Sequence, residues 1–202
     1  MVISNIRLTK LKRYHFVDAD DNDIGSIEDL TLSKSTLEPL HFILGSHFFE
    51  ELLEELGRKE NIDEIAPINI VSEIDNEHVV LSESIDNLEI TNEDGEIPDS
   101  KSIYRYSKIL NYTIFDNSGE LDAKLIDLVL NYDKTSFIFN YANLKTNLMK
   151  DGFYQRFEIS VPISKIKIDD EKIIISTSEE EMIKNAKLQI KPKEKGKSTI
   201  MI

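Results

Sequence analysis

Apolar and polar residues alternate over short runs along most of the chain, and the runs stop at clusters of Asp, Asn, Gly and Ser. Runs of this period predict strands, and the clusters predict turns. Residues 10–32, KLKRYHFVDADDNDIGSIEDLTL, read as an apolar-aromatic strand, an acidic turn and a second strand. Residues 108–130, KILNYTIFDNSGELDAKLIDLVL, read the same way. Lys10 meets Lys108, Tyr14 meets Tyr112, Asp18 meets Asp116, Asp29-Leu30 meets Asp127-Leu128 and Leu32 meets Leu130. A second match closes each unit. Residues 66–82, APINIVSEIDNEHVVLS, align with 161–176, VPISKIKIDDEKIIIS, pairing Pro67 with Pro162. Both contain a polar, Asp-rich turn between β-branched runs, the signature of a hairpin. An internal repeat therefore organises the chain.

The middles of the two units differ. In the first, Ser46–Gly57 reads as a helix, with Ser46 as N-cap and Gly57 just past the end. Phe48, Phe49, Leu52, Leu53 and Leu56 form its apolar stripe, flanked by Glu50, Glu51, Glu54 and Glu55. In the second, Ser136–Tyr141 reads as a strand, and 143–152 as a shorter helix or a loop. The predicted organisation is a first unit over 1–84, a linker over 85–103 with an extra strand at Leu88–Thr91, a second unit over 104–182, and a lysine-rich tail over 183–202. The tail ends in Ile200-Met201-Ile202, a candidate docking peptide or strand remnant.

With 202 residues, the chain has room for one ordinary domain or two small ones. The absence of Cys excludes disulfides, thiolate metal sites and cysteine nucleophiles. No apolar run is long enough to span a bilayer, and basic residues interrupt the start of the chain where a signal peptide would need an apolar stretch. The cytoplasm is the expected location. The net charge of −14 is uneven: residues 15–100 carry −21, while residues 1–14 carry +4 and 183–202 carry +5. So acidic a block repels phosphates, and direct nucleic-acid binding is not expected.

Candidate chemistry is sparse. Asp18-x-Asp20-x-Asn22, with Asp29 at position 12, has the opening spacing of a calcium loop. Its sixth position, however, carries Asp23 where glycine is needed, and flanking helices are missing. A solvated hairpin turn fits better. His41 and His47 near Glu50 and Glu51 make a zinc site imaginable, but no H-E-x-x-H or Cys partner supports it. His15 and His78 read as surface positions. Ser46 follows Gly45 without a nucleophile-elbow pattern, and the glycines are scattered singly rather than gathered into a phosphate loop. No catalytic residue, cofactor or metal ligand is assigned. The candidate partner-binding residues are Phe48, Phe49, Leu52 and Glu55 on the helix and the Tyr104-Arg105-Tyr106 run. Tyr and Arg are hot-spot residues, although that run also reads as the first strand of the second unit.

The order of strand, acidic turn, strand and closing "h-P-h-x-x-h" hairpin resembles the PRC-barrel family. Val17–Leu30 and Phe115–Leu130 carry the acidic turn and the "D-h-h-h" strand. Ala66-Pro67-Ile68-Asn69-Ile70-Val71 and Val161-Pro162-Ile163-Ser164-Lys165-Ile166 carry the closing segment. The first copy has Asp21 where the second has Gly119, and the second has Ala123 where the first has Gly25. The resemblance implies a mostly β fold of two tandem small SH3-like barrels, the first with an inserted short helix near 46–57. It also implies a non-enzymatic adaptor for protein partners, in an archaeal cell-division or membrane-associated assembly. A ribosome or RNA-processing accessory factor binding a basic ribosomal protein is the alternative, and a metal-dependent enzyme a distant third. A second copy of the chain is among the partners to be expected.

Overall fold

The computed structural model describes residues 3, 5–45, 63–75, 77–92, 96–97, 100–131, 134–141, 158–178 and 181–182. The first copy runs β1 (Ile6–Arg7), α1 (Leu8–Leu11), β2 (His15–Val17), β3 (Ser26–Ser33), β4 (Pro39–Gly45), β5 (Glu64–Pro67), β6 (Val71–Ile74), β7 (His78–Leu81) and β8 (Glu89–Ile90). The second runs β9 (Ile103–Arg105), α2 (Tyr106–Ile109), β10 (Thr113–Asp116), β11 (Gly119–Glu120), β12 (Ala123–Leu130), β13 (Ser136–Tyr141), β14 (Glu158–Pro162), β15 (Ile166–Asp169) and β16 (Lys172–Ile175). Strand is thus the main element among the described residues, and apart from β8 in the first half and β11 in the second the two halves repeat one element order. In both, a proline ends one strand and a single 3-10 turn, Ile68–Ile70 or Ile163–Lys165, leads directly into the next. Proline cannot donate to a ladder, so it marks the corner. The predicted helix 46–57, with Phe48, Phe49, Leu52 and Glu55, lies outside the described residues.

The described strands form four sheets, none of them closed, ordered β8-β5-β4-β3-β9, β2-β7-β6, β1-β12-β13-β14 and β11-β10-β16-β15. The two predicted closing hairpins are present as the antiparallel pairs β6/β7 and β15/β16. Each is extended by a parallel partner from the start of its own copy, β2 on β7 and β10 on β16. The strand expected at Leu88–Thr91 is present as β8, paired with β5. Its neighbours pack against the first copy. Leu88 enters the core, Ile97 covers Ile43 and Ile65, and Thr91 Oγ1 accepts the Asp63 N–H at 2.9 Å.

One apolar core runs through both copies. It joins Leu8, Leu11, Phe16, Leu30, Leu32 and Phe42 to Ile109, Leu128, Phe137 and Ile173. Phe16 and Phe42 meet edge to face at 5.3 Å, a favoured aromatic geometry. The reason the core is shared lies in the opening strands. β1 pairs with β12 of the second copy, and β9 pairs with β3 of the first. Each copy lends its first strand to the other's sheet.

Candidate interaction site between the two copies

The exchanged strands deliver matched polar groups to the junction. β3 and β12 each carry a β-bulge at the same place, between Ile27 and Asp29 and between Leu125 and Asp127. A bulge breaks the two-residue alternation and re-aims the side chain that follows it. Here it turns Asp29 and Asp127 into the junction, where both are buried. Asp127 accepts the Thr9 N–H at 3.1 Å, the Thr9 hydroxyl at 2.6 Å and the Leu128 N–H at 2.8 Å. Asp29 accepts the Ser107 N–H at 3.0 Å, the Ser107 hydroxyl at 2.6 Å and the Leu30 N–H at 2.8 Å. Thr9 and Ser107 sit in the first turns of α1 and α2, where N–H groups have no helical acceptor, so each carboxylate caps a helix of the other copy.

A cation accompanies each carboxylate. Arg105 Nε lies 3.5 Å from Asp29, and Arg7 lies 3.9 Å from Asp127 while also binding Glu158. The Glu158 contact, followed by the Asp127 charge, raises the Arg7 pKa against the cost of burial. Tyr106 occupies the place of Leu8 in the repeat. Its hydroxyl is buried with no hydrogen-bond partner among the described residues. Burial pushes its pKa up, and the neighbouring Asp127 and Asp29 charges push the same way.

Beside this clasp a cleft of about 780 Å³ opens between the copies. Its apolar lining comes from both: Leu40 and Ile68 of the first, Leu130, Pro162 and Ile163 of the second, with Ile3. Ile68 and Ile163 are equivalent residues of the two Pro-Ile corners. Exposed Glu38 and Lys134 line it from opposite copies. Thr36, Asn131, Thr135 and Ser164 add further polar lining, and a cavity of this size that mixes apolar side chains with polar groups is a usual form of a binding site.

Those sequence-predicted residues that are described fall elsewhere. Tyr104 and Arg105 lie on β9, half-buried, with Lys34 Nζ 5.3 Å from the Tyr104 ring centre. Tyr106 is buried on α2. Tyr104 and Arg105 thus lie on the second copy's first strand, as that reading expected, whereas Tyr106 opens α2, and none of the three lines the cleft. The cleft's own signal was the repeated Pro67-Ile68 and Pro162-Ile163, which the sequence shows as a repeat marker only.

The acidic turn is exposed from Ala19 to Asp23, as a solvated hairpin turn should be, but its first carboxylate is not. Asp18 is 1% exposed. Its Oδ1 accepts the N–H groups of Asp20 and Asn22, both at 2.9 Å, and its Oδ2 accepts the Ile85 N–H at 3.0 Å and the Asn22 side chain at 3.1 Å. The Ile85 N–H leads in holding its pKa down to about 2, helped by Asn22 and Asp20 and opposed by burial. Asp18 thus caps its own turn while Asp29 reaches Ser107, so the first and twelfth positions of the calcium-like spacing are spent on separate tasks. His41 Nδ1 sits 3.0 Å from the Thr31 hydroxyl across β3/β4. Burial lowers its pKa, partly offset by Glu89. His47, Glu50 and Glu51 lie outside the described residues. Among the described residues, no three His, Cys, Asp or Glu side chains converge to hold a metal ion, and no helix is long and apolar enough to cross a membrane.

The chain matches no protein-family model and no curated protein.

Proposed function

We propose that the protein is a non-catalytic adaptor built from two PRC-like barrels fused through exchanged strands, and that it docks a basic protein partner at the cleft between them. What supports the barrel reading is the repeated element order, with β5 and β14 each turning through a Pro-Ile corner into the second sheet of its copy around a shared core. The observation that carries the docking reading is the cleft that both copies line, with Leu40, Ile68, Leu130 and Ile163 as its apolar part. The charge of −21 over residues 15–100 selects a partner whose apolar segment is flanked by Lys and Arg, and steers its approach. An archaeal division or membrane-associated assembly is the setting implied by the family resemblance. The same acidity favours a second reading, a ribosomal protein as the basic partner. The site itself, not the fold, must decide between them.

The test is parallel affinity capture by the intact chain and by a Leu40→Glu/Ile163→Glu variant, at low and moderate salt, read by mass spectrometry. Circular dichroism confirms that the variant is folded. Division or cytoskeletal proteins held by the intact chain and lost by the variant support the adaptor. Ribosomal proteins lost with the variant and with rising salt support the second reading. Identical capture by both proteins overturns the cleft as the docking site.

A further inference from the structure

His15 and His78 stand side by side, in register on the parallel strands β2 and β7. Their ring centres are 6.4 Å apart and the planes are tilted by 48°. Each ring is held from behind by a carboxylate. His15 Nδ1 lies 3.2 Å from Asp23, and His78 Nδ1 lies 3.3 Å from Asp75. Asp75 is itself fixed, accepting the Glu77 N–H at 2.7 Å and the His78 N–H at 2.6 Å. A carboxylate on Nδ1 selects the tautomer with its proton there and leaves the Nε2 lone pair free. Both side chains are half-exposed.

This is the arrangement of metal-binding histidines, whose second nitrogen is almost always donated to a carboxylate or carbonyl. The second copy shows that the fold does not require it. Its equivalent parallel pair, β10 on β16, places Thr113 against Lys172 in the same register. We propose that His15 and His78 form a two-imidazole site for a borderline divalent transition cation such as Ni²⁺ or Zn²⁺, with water completing the shell. Bonds of about 2.0–2.1 Å to each Nε2 span the two rings once they turn toward each other on their exposed side. Imidazole ligation favours these cations over Mg²⁺ and Ca²⁺, which the carboxylates of the surrounding acidic surface prefer. The bound cation ties β2 to β7, the contact that joins the start of the first copy to its closing hairpin.

The test uses the full chain and Ni²⁺ in excess Mg²⁺, followed by calorimetric titration and by histidine side-chain resonances. One Ni²⁺ per chain is expected, broadening the His15 and His78 signals together and leaving His41, engaged with Thr31, sharp. His15→Thr borrows the residue that the second copy uses at this place, and His78→Gln removes the other ligand. Each should lower affinity at least tenfold, and Asp23→Asn should lower it by about tenfold through the lost orientation. Ni²⁺ should also raise the melting temperature of the intact protein and not of His15→Thr. Unchanged affinity in either histidine variant, or His15 and His78 signals that respond at separate midpoints, would overturn the proposal.

Discussion

The two halves solve one problem with different residues. In each, a bulged strand aims a buried aspartate at the first turn of the other half's helix. On one side Asp127 receives Thr9, with Arg7 beside it, and Leu8 fills the space below. On the other, Asp29 receives Ser107, with Arg105 beside it, and Tyr106 takes the place of the leucine. The difference lies in the second partners. Arg7 is shared with Glu158 and stands 44% exposed, whereas Arg105 is 26% exposed and its Nε is buried. The carboxylate–hydroxyl cap is what both sides keep, and the cation can change its allegiance. Two copies joined in this way cannot separate without uncapping both helices and unpairing β1 from β12 and β9 from β3.

The largest effect should come from removing the carboxylates. Breaking a buried, hydrogen-bonded charge pair costs about 3 kcal/mol. Asp29→Ala is expected to exceed Asp127→Ala, because the buried Arg105 Nε loses its carboxylate while Arg7 retains Glu158. Urea unfolding measures both. A single transition that moves to lower denaturant in each variant supports a fused unit. Two transitions, only one of them moved, would show that the halves fold separately and break the comparison.

The acidic turns come next. Asp18 fastens its turn to Ile85 as well as to Asp20 and Asn22, and Asp116 receives Ser118 and Gly119 in the second copy's turn. The Asp18 pKa is lowered from 3.8 to about 2. A depressed carboxylate contributes stability that is fully present above its unfolded pKa and is lost as pH falls through its folded pKa. The contribution should therefore disappear between 3.8 and about 2. Asp18→Asn should melt lower than the parent at neutral pH and lose less on acidification through that window. Parallel pH–melting curves for the two proteins check it.

Much of the junction was written in the sequence without being readable as a junction. The match of Asp29-Leu30 to Asp127-Leu128 was visible as a repeat. Nothing local says that these aspartates are buried, because a bulge is a relation between two strands and leaves no signal in one. The exchanged strands are shorter still. Ile6–Arg7 and Ile103–Arg105 have too few residues to show any period, and the partner of β1 lies in the other half of the chain. The strands, the hairpins and the twofold order were legible because each follows from local alternation and turn residues. Asp18 was misread for a related reason: an acid in a turn is normally solvated, and the N–H that buries this one belongs to Ile85.

Tyr106→Phe sharpens the comparison of the two helices. Leu8 brings no polar atom to its place, whereas Tyr106 buries a hydroxyl that has no hydrogen bond among the described residues. An unsatisfied buried donor costs about 1–3 kcal/mol, and deleting it at nearly constant shape recovers part of that. The variant should be about 1 kcal/mol more stable than the parent by urea unfolding. A loss of stability would mean that the hydroxyl contributes to the junction, and the two helices would then differ in kind.

The smallest expected effect is at the closing hairpins. In the second copy, Asp170 and Glu171 both have positive φ, 45° and 58°, between strands paired directly at Asp169 and Lys172. This is the two-residue turn that favours Asn-Gly, since both positions need the left-handed region and glutamate enters it with a steric penalty. Asp170→Asn/Glu171→Gly should keep the β15/β16 register and stabilise the chain by about 0.5–1 kcal/mol, from relief of that penalty less the greater flexibility of glycine when unfolded. The first copy closes the same hairpin differently, with Asp75 accepting the N–H groups of Glu77 and His78. There the turn is held by a carboxylate, and Asp75→Ala should destabilise it. Opposite signs for the two variants in one thermal-melting series would show that equivalent hairpins are closed by backbone conformation in one copy and by side-chain capping in the other.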